Sequence, residues 1–280
     1  MPGVHLVTDS SCDLPDDLVE EFGITIVPLT IRFGQEEFVD REELSASDFY
    51  KKMASTPELP ETAAPAPGKF EAAFRAAKEA GADGVICINL SSKFSATMAS
   101  AQNAARAVEG DLDVRVVDSR SVTMGLGNQL VAVGEAARDG ASLDDLEQLA
   151  VSLSERTRVF GGLDTLENLK KGGRIGSAKA LLGTMLAFKP VVDVSTGEVV
   201  EAAKPRTRTK QLQWLRDKLF EQEHIERVSV VHGDAPDLDA FLELLAPRYP
   251  RDQVSIGSIG PVIGTHGGPR VIGVCWQIPA

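Results

Sequence analysis

Short apolar runs alternate along the chain with longer stretches in which apolar residues recur every three or four positions. A run of four to eight apolar residues between turn formers fits a buried strand, and the longer period fits a helix with one buried face. Residues 4–7 read as a strand that runs into Thr8-Asp9-Ser10-Ser11. Residues 15–22 follow as a helix, with Asp13 as its candidate N-cap and Gly23 as its stop. Residues 24–33 are strand-like, a helix opens at Ser47 and runs to about 53, and 56–67 form a proline-rich loop. A helix over 70–80 closes at Gly81, 84–90 is a strand, 95–108 a helix and 114–117 a strand. Two helices, at about 125–138 and 142–156, end this half. Such an alternation predicts a mainly parallel, doubly wound sheet.

The texture changes after residue 158. Residues 159–163 look like a strand, followed by a short helix and the basic glycine loop Lys170-Lys171-Gly172-Gly173-Arg174. A helix over about 177–187 stops before Lys189-Pro190, because the residue before a proline leaves the helical region. Residues 191–194 and 199–202 flank Ser195-Thr196-Gly197-Glu198 as a hairpin. Helices at 208–221 and 236–246 then alternate with strands at 228–231, 253–258 and 271–277. The expectation is therefore two α/β domains. The first (1–157) has a mainly parallel doubly wound sheet, and the second (158–280) is mixed α/β.

Composition narrows the function. The chain has 280 residues, 43% of them hydrophobic, enough for two cores. Its 41 acidic residues outweigh 29 Lys and Arg for a net charge of -12, which argues against nucleic acid and against anionic membrane surfaces. Cys12, Cys87 and Cys275 are odd in number and show no zinc or redox spacing, as expected of reduced thiols in a cytoplasmic protein. No run is long and apolar enough for a membrane helix, so no stable membrane insertion is expected. Gly125-Leu126-Gly127-Asn128-Gln129-Leu130 approaches a dinucleotide fingerprint but has Leu130 at the third glycine, and no phosphate-loop motif occurs. No metal spacing is visible, and no cofactor is expected.

The candidate chemistry lies in hydroxyls and one histidine. His266 sits in the glycine-crowded stretch 260–269, read as a turn in which backbone and imidazole can approach a ligand closely. Thr62 and the series Ser91-Ser92-Lys93-Phe94-Ser95-Ala96-Thr97 add hydroxyls near strand and helix ends, where an α/β protein keeps its ligand. These residues also suit plain capping and turn roles. Ser95 with His266, oriented by Asp9, would make a serine-dependent lipid hydrolase or acyltransferase. Against it, Ser95, set between Phe94 and Ala96, lacks the flanking glycines of a nucleophile elbow. Hydroxyls beside a histidine can instead donate hydrogen bonds to a carboxylate.

Taken in order, Thr8-Asp9-Ser10-Ser11, Thr62-x-x-Pro65, Ser91-Ser92-x-x-Ser95-x-Thr97, Val117-Asp118-Ser119, Lys171-Gly172-Gly173-Arg174-Ile175, Lys189-Pro190, Arg206-Thr207 and Gly260 to His266 resemble the DegV family over essentially the whole chain. The resemblance implies a bacterial, non-catalytic carrier that holds a long-chain fatty acid between two α/β domains. It would present that ligand to a fatty acid kinase for conversion to acyl phosphate. A lipid sensor without a kinase partner is the other binding alternative. By the same resemblance Thr62, Ser95 and His266 meet the carboxylate, while Arg174 and Arg206 contact the kinase or the phosphate. The expected tail pocket draws on Phe94, Leu181, Leu182, Met185, Phe188 and Ile263. Where the family commonly has Thr-Ser-Gln-Pro and Ser-Gly-Thr, this chain has Thr62-Ala63-Ala64-Pro65 and Ser95-Ala96-Thr97.

Overall fold

The computed structural model describes residues 3–181 and 188–280. Its first half contains β1 (Val4–Asp9), α1 (Asp16–Phe22), β2 (Thr25–Val27), β3 (Thr30–Phe33), β4 (Glu36–Val39), α2 (Ala46–Ser55), β5 (Glu61–Ala63), α3 (Pro67–Glu79), β6 (Gly84–Asn89), α4 (Thr97–Ala107), β7 (Asp113–Asp118), α5 (Met124–Arg138) and α6 (Leu143–Arg156). The second half contains β8 (Thr157–Gly162), α7 (Glu167–Lys171), β9 (Val191–Asp193), β10 (Val200–Ala203), α8 (Arg208–Phe220), β11 (Arg227–His232), α9 (Leu238–Leu245), β12 (Ser255–Ser258), α10 (Pro261–Gly267) and β13 (Ile272–Gln277).

Strands β2-β1-β6-β7 form a parallel sheet in that order. Every residue of β6 is buried, as a parallel strand covered on both faces must be. Val85 and Cys87 pack with Phe70, Phe74 and Ala101 of α3 and α4, while Ile86 and Ile88 join Leu126, Leu130 and Leu153 of α5 and α6. The second sheet, β10-β9-β8-β13-β11-β12, is mixed, with only β11 and β12 parallel. These two sheets bear out the α/β class. Both pack on α5, whose residues 124–130 are all buried because the helix has a sheet on either side. A Cβ at Gly125 would lie 2.4 Å from Val159 and 2.2 Å from Ser121, so this glycine brings α5 against β8. Close packing accounts for the glycine that resembled a dinucleotide fingerprint.

Several local expectations change. The strand-like stretch 24–33 is two strands in different sheets, divided at Pro28, which has no N–H for a ladder. The loop over 56–67 contains β5, which pairs with β3 so that Ile31 faces Thr62 across an antiparallel ladder. With β4 these strands make a third, three-stranded sheet. Asp13 does not cap α1; its backbone is left-handed at φ 50 and its carboxylate accepts a 3.0 Å bond from the Gly260 N–H at the start of α10. The helix expected from Ser95 begins at Thr97. The one expected over 177–187 is a 3-10 turn at Gly176–Leu181, and the remainder lies outside the described residues. No helix among the described residues is long and apolar enough to cross a membrane.

Candidate binding cavity between the two halves

A cavity of about 220 Å³ lies between the second sheet and the carboxyl ends of the parallel strands, the edge at which open α/β sheets hold ligands. Its floor is the inner face of the second sheet, with Val159, Val192 and Val231 among the lining residues. Leu29, Leu90 and Val122, which follow β2, β6 and β7, line it from the first half. Phe94 and Ile263 contribute as expected. The polar lining side chains are few: Thr62, Ser95, Thr123, Arg174 and His266. A second cavity of about 420 Å³, lined by Pro60, Glu61, Asn168 and Lys171 among others, shares Thr62, Arg174 and His266 with the first. These three residues therefore stand between an apolar chamber and a polar vestibule.

His266 lies in the last turn of α10; the turn expected from its glycines is a short helix. Its Nε2 is 3.1 Å from the Thr62 hydroxyl, which β5 delivers from the other half of the chain. Burial, aided by the Arg174 charge, pushes the imidazole down from 6.5 to about 4, so the ring is neutral at physiological pH. Nδ1 is buried without a hydrogen-bond partner. It packs on Gly172, where a Cβ would come within 2.3 Å of the ring nitrogen, so glycine is what lets the imidazole sit there. A buried lone pair without a partner costs less than a buried N–H without one. That difference favours the tautomer with its hydrogen on Nε2, which donates to the Thr62 oxygen and leaves the Thr62 hydrogen available to a ligand.

Ser95 sits one residue before the Ala96 cap position of α4. Its hydroxyl is 2.8 Å from that of Thr97 and accepts from the Thr97 N–H at 3.2 Å. Among the described residues Ser95 makes no hydrogen bond to His266. Asp9 is likewise occupied elsewhere, accepting from Ser11, Asn89 and Leu90. The Ser–His–Asp relay that a hydrolase needs is thus not assembled. Arg174 is exposed but anchored: Nε donates to the Phe94 carbonyl at 3.1 Å and Nη1 to the Gly172 carbonyl at 2.8 Å. Both bonds fix the guanidinium at the boundary between chamber and vestibule.

Other expected residues fall differently. Arg206 is exposed and does not line the cavity. Phe188 is partly buried against the large core and is likewise not a lining residue. Leu182 and Met185 lie outside the described residues, and Leu181 is described only as the last residue of the 3-10 turn. Ser91 instead donates to the Gly197 carbonyl at 2.6 Å and ties the halves together. Sequence reasoning missed the floor of the chamber, Gly161 and Gly273 included, and the seat that Gly172 makes for His266. Glycines inside an apolar strand were the available signal, since they mark places of close approach. No group of three or more His, Cys, Asp or Glu among the described residues could hold a metal ion.

An apolar chamber at the carboxyl edge of a parallel sheet, with a small polar rim, is the arrangement of a binding protein for an amphipathic molecule. The chain matches the family model described as "Uncharacterised protein, DegV family" over residues 3–278, and it belongs to the DegV family. A DegV domain-containing protein of Listeria monocytogenes is 35% identical over 279 residues, 98% of each chain. Among solved structures, a Thermus thermophilus DegV family protein described for its fatty acid binding superposes with a TM-score of 0.90 at 32% identity, covering 99% of this chain and all of that one. A stearic acid-binding protein from Eubacterium ventriosum gives a TM-score of 0.87 at 28% identity over 99% and 98% of the two chains.

Proposed function

We propose that this protein is a carrier for one long-chain fatty acid, held with its tail in the chamber and its carboxylate at Thr62, Ser95 and His266. The observation that carries this reading is the junction itself, where an apolar cavity ends at two hydroxyls and a neutral imidazole before opening into a polar vestibule. A sixteen-carbon tail brings a gross transfer term of about 12 kcal/mol at ~0.8 kcal/mol per CH₂, before the cost of immobilising it. Hydrogen bonds to the charged head contribute only ~1.5 to 3 kcal/mol each, so the tail sets affinity and the rim sets orientation. The fatty acid binding described for the Thermus thermophilus DegV family protein and the stearic acid binding described for the Eubacterium ventriosum protein support the same assignment.

The vestibule gives the head group an approach for a second reactant. We take the partner to be an ATP-dependent fatty acid kinase, with Arg174 meeting the kinase or the phosphoryl group of the acyl phosphate, and Arg206 acting on the exposed surface. A planar guanidinium suits phosphate because it binds bidentately and keeps its charge. The carrier itself supplies no nucleophile. The change of sheet at β8 supports a division into two domains near 157/158, and three buried free thiols fit a reducing cytoplasm. Solvent extraction and mass spectrometry should find about one equivalent of long-chain fatty acid in purified protein. An empty protein that takes up no fatty acid would end this reading. With kinase and ATP, acyl phosphate should form only when the carrier is present, and Arg174→Ala should slow turnover without emptying the chamber.

A further inference from the structure

The floor of the chamber contains a transverse row of four residues on neighbouring strands. Val192 of β9 pairs with Gly161 of β8, Gly161 with Gly273 of β13, and Gly273 with Val231 of β11. All four line the cavity. Side chains alternate across a strand, so Gly161 shares its face with Val159, which belongs to the inner core, while Phe160 belongs to the outer one. Larger lining residues bound the row along the strands, Val159 on one side and Leu163 and Val271 on the other. Two glycines between two valines thus make a trough across the sheet.

The two glycines have different physical reasons. At Gly273 a Cβ would lie 2.9 Å from Val231 and 3.1 Å from the Phe160 carbonyl, so the fold itself requires glycine there. At Gly161 the nearest atoms to a Cβ would be Val192 Cγ2 at 3.7 Å and Leu163 Cδ2 at 4.0 Å, ordinary contact distances. Gly161 is not among the positive-φ residues either. Neither packing nor backbone conformation calls for glycine at 161, although glycine weakens a strand interior. The space it leaves serves whatever fills the chamber.

Building on the fatty-acid reading above, we infer that Gly161 is the specificity-determining position of the chamber. It keeps the trough open for an acyl tail broader at that depth than a straight polymethylene, one with a cis double bond or a methyl branch. Each carbon added at position 161 enters the volume such a tail needs. A straight tail gives way last.

Competition among palmitate, palmitoleate and 14-methylpentadecanoate, read by native mass spectrometry on the full chain, tests this. Gly161→Ala should fold normally by circular dichroism and keep palmitate, while its ratio of bent or branched to straight ligand falls roughly tenfold, the usual effect of one methyl group in an apolar pocket. Gly161→Val should reduce occupancy by all three. Gly273→Ala should instead lower the thermal midpoint, because its methyl group collides with the sheet. An unchanged ligand ratio in folded Gly161→Ala overturns the inference and leaves the carrier function standing. Failure of Gly161→Ala to fold overturns it too, since packing would then demand the glycine. Wild-type protein that binds none of the three acids overturns this inference together with the carrier reading.

Discussion

Two polar clusters at strand and helix ends, one buried and one at the chamber rim, differ in how completely the protein closes their hydrogen bonds. At the end of β1, Asp9 accepts from the Ser11 N–H and hydroxyl through Oδ1, and from Asn89 and the Leu90 N–H through Oδ2. Asp9 is fully buried, and burial raises its pKa against the pull of those donors. At the chamber rim, Thr62 and His266 meet each other, but the second ring nitrogen is unpartnered and Arg174 holds only carbonyls. A closed network uses up its donors and rigidifies the fold, whereas a partly open one keeps donors for a ligand. In the sequence both show only as polar residues near element boundaries. Only the count of partners separates scaffold from site.

The largest effect should come from breaking the closed cluster. Asp9→Ala leaves two backbone N–H groups and Asn89 without an acceptor, and should cost roughly 3 kcal/mol or more in denaturant unfolding. Bound lipid in the remaining folded fraction should be unchanged; selective loss of lipid from folded protein would place Asp9 in the site. Next, replacing Thr62 and Ser95 together by Ala should weaken retention of a fatty acid by about a hundredfold, two charged hydrogen bonds at the low end of their range. An alcohol of equal chain length should lose far less in the same competition assay. Equal losses would make the two hydroxyls shape alone.

Gly172→Ala is subtler, since its Cβ would fall 2.3 Å from His266 Nδ1 and must push the ring away from Thr62. Head-group discrimination, acid over alcohol, should drop roughly tenfold, the worth of one charge-assisted bond. The neighbouring Gly173, at φ 70 with open space around its Cβ position, should show only a backbone penalty on substitution.

The smallest effect is in pH. Because burial holds His266 near 4 in the folded chain against 6.5 for the free side chain, the unfolded chain binds the extra proton between those values. Folded protein therefore loses stability as pH falls below 6.5, by about 1 kcal/mol at pH 5.5. Asp13, raised to about 7 by burial, and Asp40, raised to about 6, act with the opposite sign. They gain stability as pH falls through those values and lose it as pH rises. The difference in unfolding free energy between wild type and His266→Gln isolates the histidine contribution. A difference that does not change between pH 7.5 and 5.5 would show that the imidazole is solvated after all.

Legibility followed the strength of local pattern. The parallel sheet was readable because β6 carries a continuous apolar run, residues 85–88, and a strand buried on both faces leaves that signature. The three-stranded sheet was not, because Glu61–Ala63 is three residues long and mostly exposed, and a pair of such strands is marginal without a third. At the site, the hydroxyls and His266 stood out by residue type, and Thr62, Ser95, Arg174 and His266 do line one cavity. The floor did not stand out, since Val159, Val192 and Val231 read as ordinary core. Arg206 came forward through the family resemblance but is not a lining residue.

By itself the sequence determined the alternation of strands and helices, the apolar content for two cores, the acidic surface and the family. These depend on periodicity and composition, which act locally or additively. Tertiary structure decided which polar groups are spent. It set Gly172 under the His266 ring, gave Asp9 its four donors, and paired Gly161 with Gly273 across two strands. Such outcomes depend on residues distant in the chain meeting within a few ångströms, where a buried donor without a partner or a missing Cβ takes its meaning from what lies opposite.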